Sequence, residues 1–202
     1  VGKHKHSPVR SAIAQKAVGG HKEDSLIAIG ASTGGTEATY RVLKGLSNDL
    51  PCILIVQHMP PVFTKMYAER LDRVCRMRVT EAVHRERVEP GKIIVGAGDF
   101  HLRLAKDALG YYVRSEPGPR VSGHCPSVDV LFESVAGTAG GHAMGILLTG
   151  MGADGAAGLL KMRRAGAYTV GQVAWDRGAV ASQLPLGSIG ADIIRFLTSA
   201  RR

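Results

Sequence analysis

Short apolar runs that alternate with helical patterns constrain the fold of this chain more than any other feature. Continuous apolar runs are typical of parallel strands that helices cover on both faces. The runs lie at Leu26–Ile29, Cys52–Val56, Lys92–Val95, Met144–Leu148 and Tyr168–Val170. Helical patterns follow at Thr36–Leu46, Phe63–Val74, Ser127–Ala136, Gly155–Arg164 and Ala191–Ala200. Because this alternation requires β-α-β crossovers, the sequence predicts an α/β fold with a doubly wound, mainly parallel sheet in a Rossmann-like, three-layer arrangement.

Two segments depart from this alternation. His101–Leu104 and Tyr111–Arg114, joined by a turn, predict an antiparallel hairpin. Residues Val1–Asp24 are polar and basic and have no sustained periodicity, so we expect a leader or linker outside the fold, following a domain absent from this chain. A length of 202 residues suits one domain with a tail, and we expect that domain to span residues 25–202.

Composition argues against several classes of protein. No apolar run approaches the ~20 residues that cross a bilayer, so we do not expect a membrane-embedded protein. Cys52, Cys75 and Cys125 form an odd, widely spaced set, which argues against a disulfide scaffold or a zinc ribbon and favours the reducing cytoplasm. We predict neither a metal site nor a bound cofactor.

The net charge of +9 suits either nucleic acid or an acidic protein partner. The basic residues are scattered, and no aromatic residues alternate with them to stack on bases. We therefore expect no nucleic-acid binding and interpret the basic residues as solvated helix faces with a mild preference for an acidic protein surface. Arg70 and Arg73, on the second predicted helix, are candidate contacts for it.

Polar residues follow the ends of three predicted strands. Ser32 lies in Gly30-Ala-Ser-Thr-Gly34, a G-x-S-x-G turn from strand to helix, which exposes the hydroxyl beside helix N–H groups. His58 follows the second strand as a candidate general base, and Asp154 follows the strand Met144–Leu148. Because the carboxyl ends of parallel strands share one edge, these residues predict a nucleophile, a base and a carboxylate in one place. Taken singly, each also fits a structural role, such as a capped turn or a hydrogen-bonded histidine.

A competing motif overlaps the last of these strand ends. Gly150, Gly152 and Gly155 satisfy G-x-G-x-x-G between a strand and a helix, which would suit a dinucleotide-binding oxidoreductase. Two features weigh against that interpretation. Asp154 would bring a carboxylate against the pyrophosphate, and no acidic residue stands cleanly at the end of the next strand.

Four segments together resemble the catalytic domain of the chemotaxis methylesterases, the CheB family. They are, in order along the chain, Ile27–Glu37, Gln57–Pro60, Pro126–Phe132 and Leu148–Gly158. The resemblance implies hydrolysis of glutamyl methyl esters on chemoreceptors, deamidation of receptor glutamines, and a doubly wound sheet with a hairpin near the site. It also implies a triad in which Ser32 is the nucleophile, His58 the base and Asp154 the orienting carboxylate.

The same resemblance implies partners for the chain. The substrate would be the methylated cytoplasmic helices of chemoreceptors, and a receiver domain would precede the linker at Val1–Asp24. Thr33 and Met151 are candidates to support the nucleophile or to donate backbone N–H groups to an oxyanion. A catalytically inert receptor-binding module is the alternative to an enzyme.

Two stretches depart from the family pattern. An acidic, serine-containing stretch that is usual in the family is missing after Gln172, and we interpret the residues from Val173 as the helix that should follow it. Gly123-His124-Cys125 stands where an arginine-containing stretch is common, and we interpret Cys125 as a small loop residue rather than a reactive thiol. We also interpret His101, beside the hairpin, as structural.

Overall fold

The computed structural model describes residues 25–148, 153–171 and 179–199. Within these ranges seven strands form one parallel sheet, and two others form a separate antiparallel hairpin. The sheet contains β1 (Leu26–Ala31), β2 (Cys52–Gln57), β3 (Arg78–Glu81), β4 (Lys92–Val95), β7 (Ala143–Leu147), β8 (Tyr168–Gly171) and β9 (Ser182–Gln183). The hairpin consists of β5 (Phe100–Asp107) and β6 (Gly110–Pro117).

Helices cover both faces of the sheet. They are α1 (Gly35–Leu43), α2 (Pro61–Val74), α3 (Val128–Thr138), α4 (Ala156–Arg164) and α5 (Leu186–Ser199), with a 3₁₀ turn at Gly140–His142. Pro61 occupies the first turn of α2, where a missing N–H leaves no helical hydrogen bond unmade. The hydroxyl of Ser127 caps α3 by accepting a hydrogen bond from the N–H of Val130. No helix in the described ranges combines the length and the apolar character needed to span a bilayer.

Alternate residues of the central strands pack into two separate cores. In β1, Ile27 and Ile29 face the layer formed by α1, α2 and α5. Leu26 and Ala28 face the opposite layer, which contains α3, α4 and the hairpin. All four side chains are fully buried, as expected of a parallel strand covered on both faces.

The order of the strands locates the edge at which a ligand would bind. The sheet runs β3-β4-β2-β1-β7-β8-β9, so the chain leaves β1 toward β2 on one side and later adds β7 on the other. In open parallel sheets the crevice lies beyond the carboxyl ends of the strands where the order reverses. Here that point is the carboxyl end of β1, flanked by β2 and β7.

The predicted fold class is confirmed, but several element boundaries differ. The last helix begins at Leu186 rather than Ala191, because glycines at positions 187 and 190 weaken the helical pattern of its first turns. The short strands β3 and β9 were not predicted; in β3 only Val79 is buried, so no apolar run marks it. The predicted leader, and the start of the helix predicted from Val173, lie outside the described residues.

The contact between β1 and α3 leaves no space for a side chain at Gly30. A Cβ atom there would lie 2.2 Å from Cγ1 of Val128, the first residue of α3. We expect Gly30→Ala to push α3 away from the sheet and to lower the free energy of unfolding by about 1–3 kcal/mol, measured by denaturant titration. Gly45→Ala is the matched control, because a Cβ there would meet nothing within 4 Å. Equal losses in the two variants would contradict this account of the packing.

Candidate active site

Ser32 lies directly beyond the last residue of β1, in the turn that leads into α1. Its carbonyl oxygen accepts hydrogen bonds from the N–H of Gly35 and from Nε2 of Gln57, both at 2.8 Å. Gly34 at the start of α1 has a φ of 75°, a left-handed conformation that glycine adopts without strain. The turn and the buried amide of Gln57 therefore fix the backbone on which the Ser32 hydroxyl is carried.

His58 occupies the equivalent position after β2. Ala31 pairs with Gln57 in the parallel register, so Ser32 and His58 are the next residues along two adjacent strands. The N–H of His58 donates to the carbonyl of Ala31 at 3.1 Å, which extends the ladder by one bond. Strands lie about 4.8 Å apart, so this register alone brings the two side chains within reach of each other.

The imidazole of His58 bridges a hydroxyl and a carboxylate. Nδ1 lies 3.1 Å from Oγ of Ser32, and Nε2 lies 2.7 Å from Oδ2 of Asp154. These partners assign the tautomer: Nε2–H donates to the carboxylate, and the lone pair of Nδ1 faces the hydroxyl. In the serine protease template the two nitrogens have the opposite partners. The short reach between neighbouring strands favours Nδ1, the nitrogen nearer to the backbone.

Asp154 is held at the N-terminus of α3. Its Oδ1 accepts from the hydroxyl of Ser127 at 2.7 Å and from the N–H of Asp129 at 2.9 Å. Its Oδ2 accepts from the N–H of Val128 at 2.8 Å as well as from His58. The first N–H groups of a helix have no partner within the helix, and the positive end of the helix dipole favours an anion there.

These contacts set the protonation state of Asp154. Burial acts to raise the pKa of this carboxyl, since only 1% of the side chain is exposed. The hydrogen bonds from His58, the N–H of Asp129, the hydroxyl of Ser127 and the N–H of Val128 outweigh burial, so its pKa lies below the ordinary value. Asp154 is therefore a carboxylate at neutral pH.

A second buried carboxyl, that of Asp129, helps to hold the segment that carries Asp154 in place. Its Oδ1 accepts from the N–H of Gly158 in the first turn of α4 at 2.7 Å. Burial, together with the nearby charge of Asp154, raises the pKa of Asp129 above its ordinary value despite that bond. Asp129 joins α3 to α4 and so fixes the segment that carries Asp154.

A second histidine ring lies on His58. The rings of His58 and His124 stack with centroids 3.6 Å apart and planes 6° from parallel. Burial, and then the neighbouring imidazole of His58, lower the pKa of His124. Val121 and His124 exchange two backbone hydrogen bonds of 3.0 Å across a turn whose central residues, Ser122 and Gly123, have positive φ values.

A cleft of about 330 Å³ opens beside the two histidines. Asp99 and Arg120, both exposed, contribute opposite charges to its lining. The residues that line it are His58, Met59, Pro60, Pro61, Asp99, Arg120, His124, Cys125 and Pro126. The cleft therefore borders the site on the side of His58.

The structure brings Ser32, His58 and Asp154 into one hydrogen-bonded series. Thr33 is exposed on the turn beside Ser32, and Met151 lies outside the described residues. His101 is buried; Nε2 donates to the carbonyl of Pro119 at 2.8 Å, and Nδ1 accepts from the N–H of Ser127 at 3.3 Å. His101 therefore supports the start of α3 and does not join the series.

Several residues of the site were not predicted from the sequence. His124 carried a usable signal, since Ser-Gly flanked by Val121 and His124 is typical of a two-residue turn. Gln57 and Asp129 lie in segments that carry the family resemblance, but the sequence assigned no role to them or to Arg120, because their contacts join segments that are distant in the chain. Cys125 lines the cleft as part of a loop, and burial raises the pKa of its thiol, which agrees with its interpretation as unreactive.

One glycine of the competing motif has a clear packing role. Gly155 precedes α4 with a φ of 99°, and a Cβ there would lie 2.8 Å from Cγ1 of Val128. A close approach of the α4 N-terminus to α3 therefore accounts for Gly155 without a dinucleotide. Gly150 and Gly152 lie outside the described residues.

A hydroxyl, an imidazole and a carboxylate in series are the constellation of the serine hydrolases, which recurs on several unrelated folds, α/β folds among them. The family model for CheB methylesterase matches residues 27–198. The chain belongs to the CheB methylesterase family. It resembles a methylesterase/glutaminase from Syntrophomonas wolfei at 49% identity over 184 residues, which covers 85% of this chain and 54% of the relative. A Yersinia pestis protein of the same name is 58% identical over 149 residues, covering 74% of this chain and 43% of the relative.

The fold is also that of a solved member of the family. The crystal structure of the Thermotoga maritima CheB methylesterase catalytic domain superposes with a TM-score of 0.79 at 30% identity, covering 85% of this chain and 97% of the other. The chain spans about half the length of the curated relatives described above. The family confirms the resemblance predicted from the sequence and argues against the oxidoreductase interpretation.

The surroundings of Asp154 predict a cost for Asp154→Asn. Each carboxylate oxygen accepts two hydrogen bonds, so an amide NH₂ at either position would face donors. We expect the fold to persist but the free energy of unfolding at pH 7 to fall by about 1–3 kcal/mol in denaturant titrations. Because the folded-state pKa is lowered, this stabilisation is present above the unfolded value of about 3.9 and is lost as the pH falls through the folded pKa.

Asp99→Asn is the matched control for this prediction. Asp99 is exposed and has a φ of 63°, a conformation that asparagine tolerates. We expect its free energy of unfolding to stay within about 0.5 kcal/mol of the wild type. An Asp154→Asn protein as stable as the Asp99→Asn control would show that the donors around Asp154 find other partners.

Proposed function

We propose that the chain is a protein-glutamate methylesterase, a serine hydrolase that removes methyl groups from glutamyl methyl esters. One observation carries the proposal: the Ser32 hydroxyl, the His58 imidazole and the ionised Asp154 carboxylate form one series of hydrogen bonds. Membership of the CheB methylesterase family and the names of the relatives support the same reaction.

In the proposed reaction Ser32 is the nucleophile. Its Oγ attacks the γ-carbonyl carbon of the methylated glutamate while Nδ1 of His58 takes the hydroxyl proton. The imidazolium that forms is stabilised by Asp154, which holds Nε2–H in the correct tautomer. When the tetrahedral intermediate collapses, the C–OCH₃ bond breaks, His58 returns the proton, and methanol leaves an acyl-enzyme on Ser32.

Water completes the cycle by the same route. His58 takes a proton from water, the hydroxide attacks the acyl carbon, and the Ser32 oxygen leaves with a proton from His58. Backbone N–H groups of Thr33 and Met151 are our candidates for the oxyanion hole, where one donor contributes roughly 10²–10³ in rate. A glutamine side chain would pass through the same acyl-enzyme with ammonia as the leaving group, so we also propose glutaminase activity, in keeping with the names of the relatives.

We propose the methylated helices of chemoreceptors as the partner, reached in the cytoplasm. Three free cysteines suit a reducing compartment. A net charge of +9 suits an acidic helical surface. We further propose that residues 1–24 are a linker behind a receiver domain and that residues 25–202 are the catalytic domain. The length of the relatives, about twice that of this chain, fits a further domain in the complete proteins.

Two variants test the nucleophile and its base. Because members of a triad act as a unit, we expect Ser32→Ala and His58→Ala each to reduce methanol release from a methylated receptor by nearly as much as the double variant. His142→Ala, at an exposed histidine, is the matched control and should keep wild-type turnover. Additive losses in the double variant would contradict the coupling, and a wild-type protein that binds receptor without releasing methanol would establish the inert module instead.

Charge at the cleft gives a test of docking. Arg120 is exposed in the lining of the cleft. Arg70 and Arg73 lie farther away: at a rise of 1.5 Å per residue they are about 14–18 Å along α2 from Pro61, the residue of that helix that lines the cleft. We expect kcat/KM of the wild type to fall as NaCl rises while kcat changes little, because salt screens long-range attraction over about 8 Å at physiological strength. Arg120→Glu should lower kcat/KM at low salt and flatten this dependence.

Arg164→Glu is the control for the charge itself. Arg164 is exposed in the last turn of α4, at the end of that helix remote from Asp154. The substitution Arg164→Glu changes the net charge of the chain as much as Arg120→Glu does. If both reversals lower kcat/KM equally, net charge rather than the cleft guides docking; if the wild type shows no salt dependence, electrostatic docking is refuted.

A further inference from the structure

Two imidazoles share one wall of the cleft, and the proposed reaction uses only one of them. His124 lies face to face with His58 at a centroid distance of 3.6 Å, which is full van der Waals contact over the ring. Both rings line the cleft. His124 is only partly exposed, so the stacked rings are packed into the protein and do not meet only at its surface.

The hydrogen bonds of His58 restrain the two nitrogens of its ring unequally. Nε2 is held by Asp154 at 2.7 Å, whereas Nδ1 makes a longer contact of 3.1 Å with Ser32. Because the Ser32 hydroxyl can rotate about its own Cα–Cβ bond, this second contact restrains a swing of the ring less than the bond to the carboxylate does. A flat group stacked on the face of the imidazole restricts the swing and keeps Nδ1 directed at Oγ of Ser32.

The backbone that carries His124 is itself held in place. The two hydrogen bonds between Val121 and His124 close a tight turn, and Nη1 of Arg120 donates to the carbonyl of Gly123 at 3.3 Å. The N–H of Asp99 donates to the carbonyl of Cys125 at 3.3 Å. His124 is therefore anchored on both sides, as a positioning group must be if it is to restrain another ring.

The charges around the stack favour a neutral His124. Arg120 and the imidazole of His58 disfavour protonation of His124, whereas the carboxylate of Asp154 favours it. Asp99 is the other charged residue in the lining of the cleft. Burial has a larger effect than these charges and lowers the pKa of His124, so the ring is uncharged at neutral pH. A neutral ring presents its electron-rich face to the imidazolium that forms on His58.

We propose that His124 is a positioning residue of the hydrolase: its ring, stacked on His58, holds the imidazole in the plane that joins Ser32 to Asp154. The proposal rests on the proposed function and assigns a residue to the same site. His124 transfers no proton in it; it restricts the ring that does.

A series of three variants separates stacking from charge. His124→Ala removes the ring, and we expect kcat for methanol release to fall about 10- to 100-fold, as for other losses of alignment, with KM changed less than about threefold. His124→Phe keeps a flat, neutral ring and should retain kcat within about threefold of the wild type. His142→Ala again serves as the control at an exposed histidine.

The third variant adds charge to the stack. His124→Arg keeps a planar group but makes it a cation beside His58. In the wild type, kcat/KM should rise with pH through one midpoint, because a histidine base acts in its neutral form. In His124→Arg we expect that midpoint to move down by about one pH unit, because a neighbouring cation opposes the imidazolium, and the plateau to fall.

Labelling of Ser32 by a fluorophosphonate gives a readout that needs no receptor. Its rate should follow the same order, with wild type and His124→Phe fast and His124→Ala slow, while thermal unfolding reports whether each variant is folded. Wild-type labelling and kcat in His124→Ala would overturn the proposal, as would a His124→Phe protein as impaired as His124→Ala, since that would indicate a proton or hydrogen-bond role. An unmoved pH midpoint in His124→Arg would also count against it.

Failure of this inference is distinguishable from failure of the proposed function. If Ser32→Ala and His58→Ala keep their turnover, the triad itself is refuted. If those two variants are inactive but His124→Ala is not, only the role of His124 is refuted.

Discussion

The site depends on one interaction, the burial of the Asp154 carboxylate at the N-terminus of α3. A buried charge is costly unless its hydrogen bonds are made, and the unpaired N–H groups of a helix start are costly for the same reason when they are buried. The hydroxyl of Ser127 and the N–H groups of Val128 and Asp129 solve both problems at once. The carboxylate also accepts a hydrogen bond from Nε2–H of His58. The same contacts that stabilise the fold therefore also orient the imidazole.

That interaction is possible only because α3 approaches the sheet closely. Val128 packs where side chains on Gly30 and Gly155 would otherwise stand, with distances of 2.2 and 2.8 Å to the respective Cβ positions. Gly30 lies within β1, and Gly155 immediately precedes α4. Gly30 of the G-x-S-x-G pattern and Gly155 of the G-x-G-x-x-G pattern thus share a physical cause, the close packing of Val128, and neither glycine needs a phosphate to explain it.

The amino-acid sequence predicts those parts of the fold and of the site that follow from local patterns of residues. Apolar runs locate the central strands, and because the ends of parallel strands share an edge, the sequence alone is enough to group Ser32, His58 and Asp154. Contacts that depend on long-range geometry could not be predicted. The stack of His124 on His58 depends on a turn with positive φ at Ser122, and the bond from Gly158 to Asp129 joins two helices. Edge strand β3 buries only Val79, so no apolar run marks it.

The position of each partner around His58 follows from the register of the sheet. Ser32 and His58 are register neighbours on adjacent strands, so the reach between them is short, and Nδ1, the nitrogen nearer to the backbone, faces the hydroxyl. Nε2 is then directed toward the carboxylate of Asp154, which is buried against the N-terminus of α3. One face of the ring is covered by His124, which burial and neighbouring charge keep neutral. In the proposed reaction, an imidazolium on His58 would therefore meet one carboxylate and no competing cation within the stack.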